Sequence, residues 1–592
     1  GNVYSYQLAP QLRVLAGEVS GSISLNGIED DLNAPGEETD ETIDISFTSA
    51  VNATIEESIT NPAEPIIATI LNNEISFTLV GTSQPNIISD EENVFFGVPS
   101  LEDSSIDWGD YDQDGDQDFA IMGYGNNTGS VTRIYNNDEG VFTVAPFNLD
   151  GRKNGQLKWV DYNKDGYIDL VVSGVDGGSA PSTTIYKNDD GQQFTLSIDL
   201  ALPNLYDTSM DFADFDNDGD IDFLINGREV DGQGNTTLKK YIYYRQGENL
   251  VLADNFNGQF DENGIEGIVQ IADIHNDGDQ DIIGVGQQNY SKINTLIGGV
   301  NENQWYYWNW PQLEDPSLKV YGKTMYVMGR ENQTTQIFKV NLDSDGYQQE
   351  INGLEGLSSG DLDIGDYNND GFQDIIVTGE ASDFTPTTTL YDGSSSGYQE
   401  NLNESISFDG FGLSTIKWVD YDNDGDLDLF VTGYGDTGQA TQLYRNNLLN
   451  KDNTASEAIT NLQFEDLGNG RVNLSWDTPS DDFSTELGYV IRLGTTPGGS
   501  ELSNTESNLE TGERLITKSP DIFINNYQLS LDPGVYYWSV QAVDDGLKGS
   551  VFSEEQTFQL TYEWKILNQG GIIDKSISPL SDPIVRLTDI DA

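Results

Sequence analysis

The sequence predicts an all-β fold, a seven-bladed β-propeller flanked by β-sandwich domains, and three observations carry that expectation. A nine-residue acidic motif, Asp-x-(Asp/Asn/His)-x-Asp-Gly-x-x-Asp, is written six times, beginning at Asp110, Asp161, Asp214, Asp273, Asp366 and Asp420. Successive copies start 51, 53, 59, 93 and 54 residues apart, and a period of about 50 residues is one at which propeller blades repeat. Between the motifs run short apolar and β-branched stretches punctuated by Gly, Asn and Asp, the pattern of strands and turns.

The motif has a chemical reading. In DYDQDGDQD, Asp110, Asp112, Asp114 and Asp118 stand at positions 1, 3, 5 and 9 around a Gly at 6, so their oxygens can converge on one hard cation. The spacing resembles the first nine positions of an EF-hand loop, but no Glu closes it at position 12 and a strand follows where a helix would. The same positions hold Asp161, Asn163, Asp165 and Asp169; Asp214, Asp216, Asp218 and Asp222; and Asp273, His275, Asp277 and Asp281. They recur as Asp366, Asn368, Asp370 and Asp374, and as Asp420, Asp422, Asp424 and Asp428. One copy alone would read equally well as an ordinary turn, because Asp, Asn and Gly dominate turns. Six copies in register, each bracketed by strands, read as calcium loops, about six Ca²⁺ sites in all. Carboxylates this close would otherwise disfavour one another's ionisation, and a bound cation removes the conflict. His275 makes the fourth loop the weakest, since imidazole is a poor partner for calcium.

Taken in chain order, residues 1–90 read as an Ig-like or Calx-β-like sandwich, with strands at Thr42–Phe47, Pro65–Thr69 and Glu74–Val80. Residues 91–450 form the propeller. Its second repeat shows the plan: Gln156–Val160, the loop, Asp169–Ser173, Thr183–Lys187, a turn, and Gln193–Ser197. The 93-residue gap hides a repeat without a loop, because Met325–Gly329 matches Phe119–Gly123. The last repeat lacks its outer strand, and Asn93–Gly97 is expected to supply it and close the ring. After a polar linker, residues 457–560 alternate apolar and polar positions around Trp476 and Trp538, which suits an antiparallel sandwich. Residues 561–592 are expected to begin a further propeller, since Arg586–Ala592 resembles Gln270–Asn276, or to form a tail; the chain then reads as a segment of a longer protein. Gly1 opens on no charged and apolar leader, so any signal peptide is expected to be gone already.

These motifs resemble the FG-GAP/VCBS repeats of integrin α-type seven-bladed propellers, over about residues 92–449. The resemblance implies that the loop carboxylates are structural calcium ligands near one face. Its main departure is the degenerate fifth repeat. Residues 457–560 resemble a fibronectin type III module of the kind that accompanies such repeats in Bacteroidota surface proteins, usually as a spacer. The repeat family spans adhesion receptors, lectins, bacterial surface proteins and a few polysaccharide-processing enzymes, so it implies no single activity.

Composition narrows the setting. The formal charge is −73 and there is no cysteine. A surface this acidic repels nucleic acid and anionic membranes, which require basic patches. No apolar run approaches the ~20 residues of a membrane span. Extracellular calcium modules bind at roughly 10⁻⁴ to 10⁻³ M, which works only outside the cell. A secreted or cell-surface protein is expected. Its partner would be a protein or glycan on another surface, or further copies or domains of a surface assembly.

Catalysis finds little support in the residue inventory. The single histidine, His275, lies inside a loop, and nucleophilic chemistry usually recruits His or Cys. Paired carboxylates for glycoside hydrolysis exist in any chain with 100 Asp and Glu, so no pair stands out. The chain is therefore expected to act without catalysis, in adhesion or as part of a surface appendage. A lectin-like carbohydrate-binding propeller is the alternative, and a polysaccharide-active enzyme the second. Trp305, Trp308 and Trp310 are the candidate sugar platform, against the plainer reading that these rings fill the space left by the missing loop. Tyr124 and Tyr434 are weaker candidates.

Overall fold

The computed structural model describes residues 53–55, 70–72 and 77–82, residues 98–568 apart from short interior stretches, and residues 571–576. From Glu102 onward the chain lays down one four-stranded antiparallel sheet after another, each a simple meander. The first consists of Glu102–Trp108, Phe119–Gly125, Gly129–Asp138 and Val141–Val144. The second holds Lys153–Val160, Asp169–Val175, Pro181–Asp189 and Gln193–Leu196, and the third Leu205–Ala213, Asp222–Val230, Thr236–Gln246 and Asn249–Leu252. Glu266–Ala272, Asp281–Gln287, Lys292–Asn294 and Trp305–Tyr307 make the fourth. Glu314–Tyr321, Thr324–Glu331, Thr334–Asn341 and Gln348–Glu350 make the fifth.

An eight-stranded sheet follows, and it is two such meanders joined edge to edge. Ser358–Gly365, Asp374–Glu380, Pro386–Asp392 and Gln399–Glu400 form one half. Phe411–Val419, Asp428–Gly435 and Gly438–Asn446 belong to the other, and Thr387 opposite Phe411 is the joint. The outer strand of that last half is Phe77–Thr82, which pairs antiparallel with Gly438–Asn446. This strand was expected in an N-terminal sandwich, and Asn93–Gly97 was expected at this edge; residues 93–97 lie outside the described residues. The physical reason is packing: the Phe77 ring lies 5.1 Å from Phe408, 5.8 Å from Tyr367 and 6.0 Å from Trp418. Elsewhere in 1–90, Ala53–Ile55 pairs with Ile70–Asn72.

Second strands are buried along nearly their whole length, as in Phe119–Gly125 and Asp169–Val175, because each sheet is covered on both faces by its neighbours. First strands lie beside first strands from sheet to sheet, and Phe411–Val419 lies against Glu102–Trp108 in turn. Thr415 Oγ1 donates to the Ser104 carbonyl at 2.9 Å across that contact. Trp108, Phe119 and Phe430 share one buried aromatic cluster there. The fold is all-β and propeller-like.

Along the axis the first strands present a circuit of charge. Asp107, Lys158, Asp211, Gln270, Lys319, Asp363 and Lys417 occupy equivalent places and line a cavity of about 140 Å³. Lys158 Nζ lies 3.8 Å from Asp211 and Lys319 Nζ 3.0 Å from Asp363. Burial pushes the Asp107 carboxyl up; at Asp363 burial acts the same way, but Lys319, Lys417 and the Trp418 amide together outweigh it and hold the carboxyl low.

Beyond the linker, two three-stranded sheets share one core. Thr460–Gly468, Arg471–Asp477 and Asn526–Ser530 face Gly488–Gly494, Val535–Val543 and Gln556–Gln559 across Trp476, Val540 and Trp538. Glu563–Asn568 pairs with Gly571–Ser576, and residues 577–592 lie outside the described residues. Among the described residues no helix is long and apolar enough to cross a membrane.

Candidate metal centre

The acidic loops join the first two strands of their sheets, and in the described ones the loop's own side chains fold it. Asp110 Oδ1 accepts from the Asp114 amide at 3.1 Å and Oδ2 from Gly115 at 3.2 Å. Asp161 repeats this with Asp165 and Gly166 at 3.2 and 2.9 Å, and Asp366 with Asp370 and Gly371 at 3.0 and 2.7 Å. Position 6 is Gly for a backbone reason: φ is +98° at Gly115 and +92° at Gly425, a region that L side chains rarely adopt. The last aspartate anchors the loop to the sheet. Asp118 Oδ1 accepts from the Asn137 amide and Oδ2 from Tyr111, at 2.7 and 3.2 Å, and Asp169 and Asp428 accept from Asn188 and Asn446 at 2.7 Å.

These aspartates are buried with more acceptors than donors around them. One oxygen each of Asp118, Asp110 and Asp112 falls within 4.8 Å of the others, and Asp420, Asp422 and Asp428 form an equivalent group. Asp112 Oδ1, Asp169 Oδ2, Asp374 Oδ2 and Asp420 Oδ1 are buried without a hydrogen-bond partner. Burial drives the carboxyls of Asp118, Asp169 and Asp374 up to about 9, and that of Asp110 up to about 7. Orphaned carboxylate oxygens converging on one point, with all-oxygen donors, fit a hard divalent cation. The structure thus brings together Asp110, Asp112 and Asp118, and Asp420, Asp422 and Asp428, as two clusters able to hold a metal ion.

The remaining predicted ligands are placed less completely. Asp161, Asn163, Asp165 and Asp169 share the same loop fold, as do Asp366, Asn368, Asp370 and Asp374. Asp222, Asp273 and Asp281 are buried where expected, and Asp214 is half-buried; Asp216, Asp218, His275 and Asp277 lie outside the described residues. In the sixth loop, protein cations already hold the outer oxygens. Arg445 reaches Asp422 at 2.8 Å and Asp424 at 2.9 Å, and Lys548 reaches Asp420 at 3.0 Å. In the fifth sheet the loop is replaced by a tight turn at Gly322 and Lys323, with Tyr321 opposite Thr324. Trp305 begins the outer strand of the fourth sheet, opposite Asn294, rather than belonging to the fifth. Trp308 and Trp310 lie outside the described residues.

Sequence reasoning missed a set of staples between sheets. Asn188 Nδ2 donates to the Tyr111 carbonyl, Asn137 Nδ2 to Tyr421 and Asn446 Nδ2 to Tyr367, each at 2.8 Å. Each links the third strand of one sheet to the loop of its neighbour. The signal was present as Tyr-x-Asn at Tyr135, Tyr186 and Tyr444.

Comparison with known proteins agrees with the repeat reading in part. Residues 161–225 and 366–431 match the model of the FG-GAP-like repeat. No curated protein matches the chain. Among solved structures, an α-L-arabinanase of Penicillium chrysogenum complexed with arabinobiose is similar at 12% identity and a TM-score of 0.34, over 62% of this chain and 97% of that one. An exo-β-1,3-galactanase of Phanerochaete chrysosporium is similar at 9% identity and 0.25, over 82% and 100%. A fructofuranosidase of Schwanniomyces occidentalis is similar at 11% and 0.23, over 70% and 91%. The expectation that the chain is not an enzyme is corrected: these three similar structures are of glycoside hydrolases, and a chain with a single His and no Cys is not barred from a chemistry that needs only carboxylates.

Proposed function

We propose that this chain is a calcium-braced segment of a large secreted or cell-surface protein, acting in adhesion or as a structural part of a surface appendage. In this reading the sheets form a seven-bladed propeller, residues 457–560 are a fibronectin type III-like module, and the repeats position contact loops for a protein or glycan partner. The observation that carries it is the first loop, where Asp110, Asp112 and Asp118 converge and Asp112 Oδ1 is left buried without a donor. Cation binding to the native state raises stability by mass action. The mechanism is mechanical: the cation cancels repulsion among buried carboxylates, fixes each loop, and so fixes the edges of the sheets that the asparagine staples join.

The test has two arms. Calcium titration by calorimetry, with thermal melts in millimolar calcium and in chelator, should show uptake and a large rise in melting temperature. No uptake would remove the cation from the mechanism. Adhesion to protein-coated and glycan-coated surfaces should then require calcium. Turnover of an arabinan, galactan or fructan in the same buffers would move the assignment to a carbohydrate-active enzyme.

A further inference from the structure

The sandwich of residues 457–560 sits on the loop-bearing end of the propeller-like body, and its grip falls on the loops themselves. The connection between Gly488–Gly494 and Asn526–Ser530 projects a finger, closed on itself by Leu515 donating to the Glu506 carbonyl at 2.9 Å. Its returning limb, past an exposed turn, enters the cleft between the first two sheets. Leu515 and Ile516 are 3% and 4% exposed and pack with Tyr111, Trp159 and Ile168. The Asp110 amide, at the first position of the first loop, donates to the Leu515 carbonyl at 3.0 Å, and Gly109 pairs with Ile516 as an isolated β-bridge. Gln117, in the same loop, donates to the Arg514 carbonyl at 2.9 Å.

A second grip falls on the sixth loop. The Asn453 amide donates to the Gly425 carbonyl at 2.9 Å, and Lys548 Nζ lies 3.0 Å from Asp420 Oδ2. Asp420 Oδ1 is the oxygen left buried and unpartnered, so Lys548 holds the outer side of a carboxylate whose inner side faces the cluster with Asp422 and Asp428. The sandwich therefore grips two loops whose conformation depends on how their carboxylates are neutralised.

We propose that cation occupancy of the Asp110 and Asp420 loops controls the docking of residues 457–560, so that the joint between the two bodies is rigid with calcium and loose without it. This rests on the calcium reading above. In an unliganded loop no cation ties Asp110, Asp112 and Asp118 together, and these side chains hang on the same loop that bonds Leu515 and Arg514. Loosening it removes directional bonds from an interface whose remaining contacts include the apolar finger, the Lys164 ammonium donating to the Glu501 carbonyl, and Tyr321, which donates to Asp545 and packs on Phe523. Linkage makes the effect mutual: the docked sandwich must raise the cation affinity of the two loops, by roughly 5–150-fold for a coupling of ordinary size.

The absence of cysteine permits a clean test. Thr143→Cys and Glu465→Cys, both exposed, place one spin label on each body of the full chain. Double electron–electron resonance should give a narrow distance distribution in calcium and a broad one in chelator, while calorimetry on the same protein follows calcium uptake. Lys548→Met should broaden the distribution in calcium with uptake retained. Uptake without any change of distribution on chelation would overturn the proposal and leave the calcium reading intact. No uptake would overturn both.

Discussion

Replacing Asn188 by alanine tests whether side-chain staples, rather than apolar packing alone, hold neighbouring sheets in place. The side chain is fully buried. Its Nδ2 donates to the carbonyls of Tyr111 at 2.8 Å and Ile168 at 3.1 Å, and its Oδ1 accepts from Gly191 at 2.9 Å. Each bond contributes about 1 kcal/mol net, and a buried group left without its partner costs about 1–3 kcal/mol. Alanine strands the Tyr111 carbonyl and the Gly191 amide where water does not reach, so the loss should be about 3–5 kcal/mol. Asn188→Leu separates the causes. It restores the volume but none of the bonds, and should be nearly as damaging. Equilibrium urea unfolding, run in saturating calcium so that linkage to the ligand is the same for every variant, reads the difference. An exposed control such as Gln193→Ala should stay within about 0.5 kcal/mol. A loss below about 1 kcal/mol for Asn188→Ala, at unchanged slope, would refute the staple.

Four further outcomes are expected. Asp112→Asn should remove one site from a calorimetric calcium titration while the protein stays folded in circular dichroism. In chelator, Asp118, Asp169 and Asp374, pushed up to about 9 mainly by burial, hold protons that the unfolded chain releases near pH 4. The native state then binds the extra protons, so stability should fall as pH rises from about 4 to about 9. With calcium holding the carboxylates charged, stability should fall on acidification instead, and equal slopes in both buffers would contradict this. Trp108→Ala, at a fully buried ring between Phe119 and Phe430, should lower stability by about 3–5 kcal/mol in the same urea assay. Deleting residues up to Thr82 should bare the edge of Gly438–Asn446 and cause self-association detectable by light scattering.

The loop carboxylates and the strand on each side of them were legible because both rest on local chemistry: a Gly forced to positive φ, an aspartate capping its own loop, an alternation of buried residues. The loopless fifth repeat was legible too, through Met325–Gly329, although the turn at Gly322 that replaces the loop left no acidic trace. The outer strand of the last sheet was not. Phe77–Thr82 and Asn93–Gly97 are both short, largely apolar runs that include a glycine, and only the ring contacts of Phe77 with Tyr367, Phe408 and Trp418 favour the first; those partners are far away in the chain. The finger of residues 506–518 escaped for the same reason. Leu515 and Ile516 form an apolar pair in a polar connection, and nothing local tells that their pocket lies between two sheets of another body.

The circuit of charge along the axis gives the repeats a parity. Acid and base alternate from Asp107 to Asp211, and again from Lys319 through Asp363 and Lys417 back to Asp107. An odd number of members cannot alternate throughout, and Gln270 takes the one place where a charge of either sign would meet its like. Repeats that match one another in loop and strand are thereby not interchangeable. Excising the second would set Asp107 beside Asp211, and duplicating the last would set Lys417 beside another lysine, each in a buried cavity where like charges are costly. Gain or loss of a single unit is penalised at the axis even where every outer contact could be remade, so the order of the units is recorded in side chains that lie outside the acidic loops.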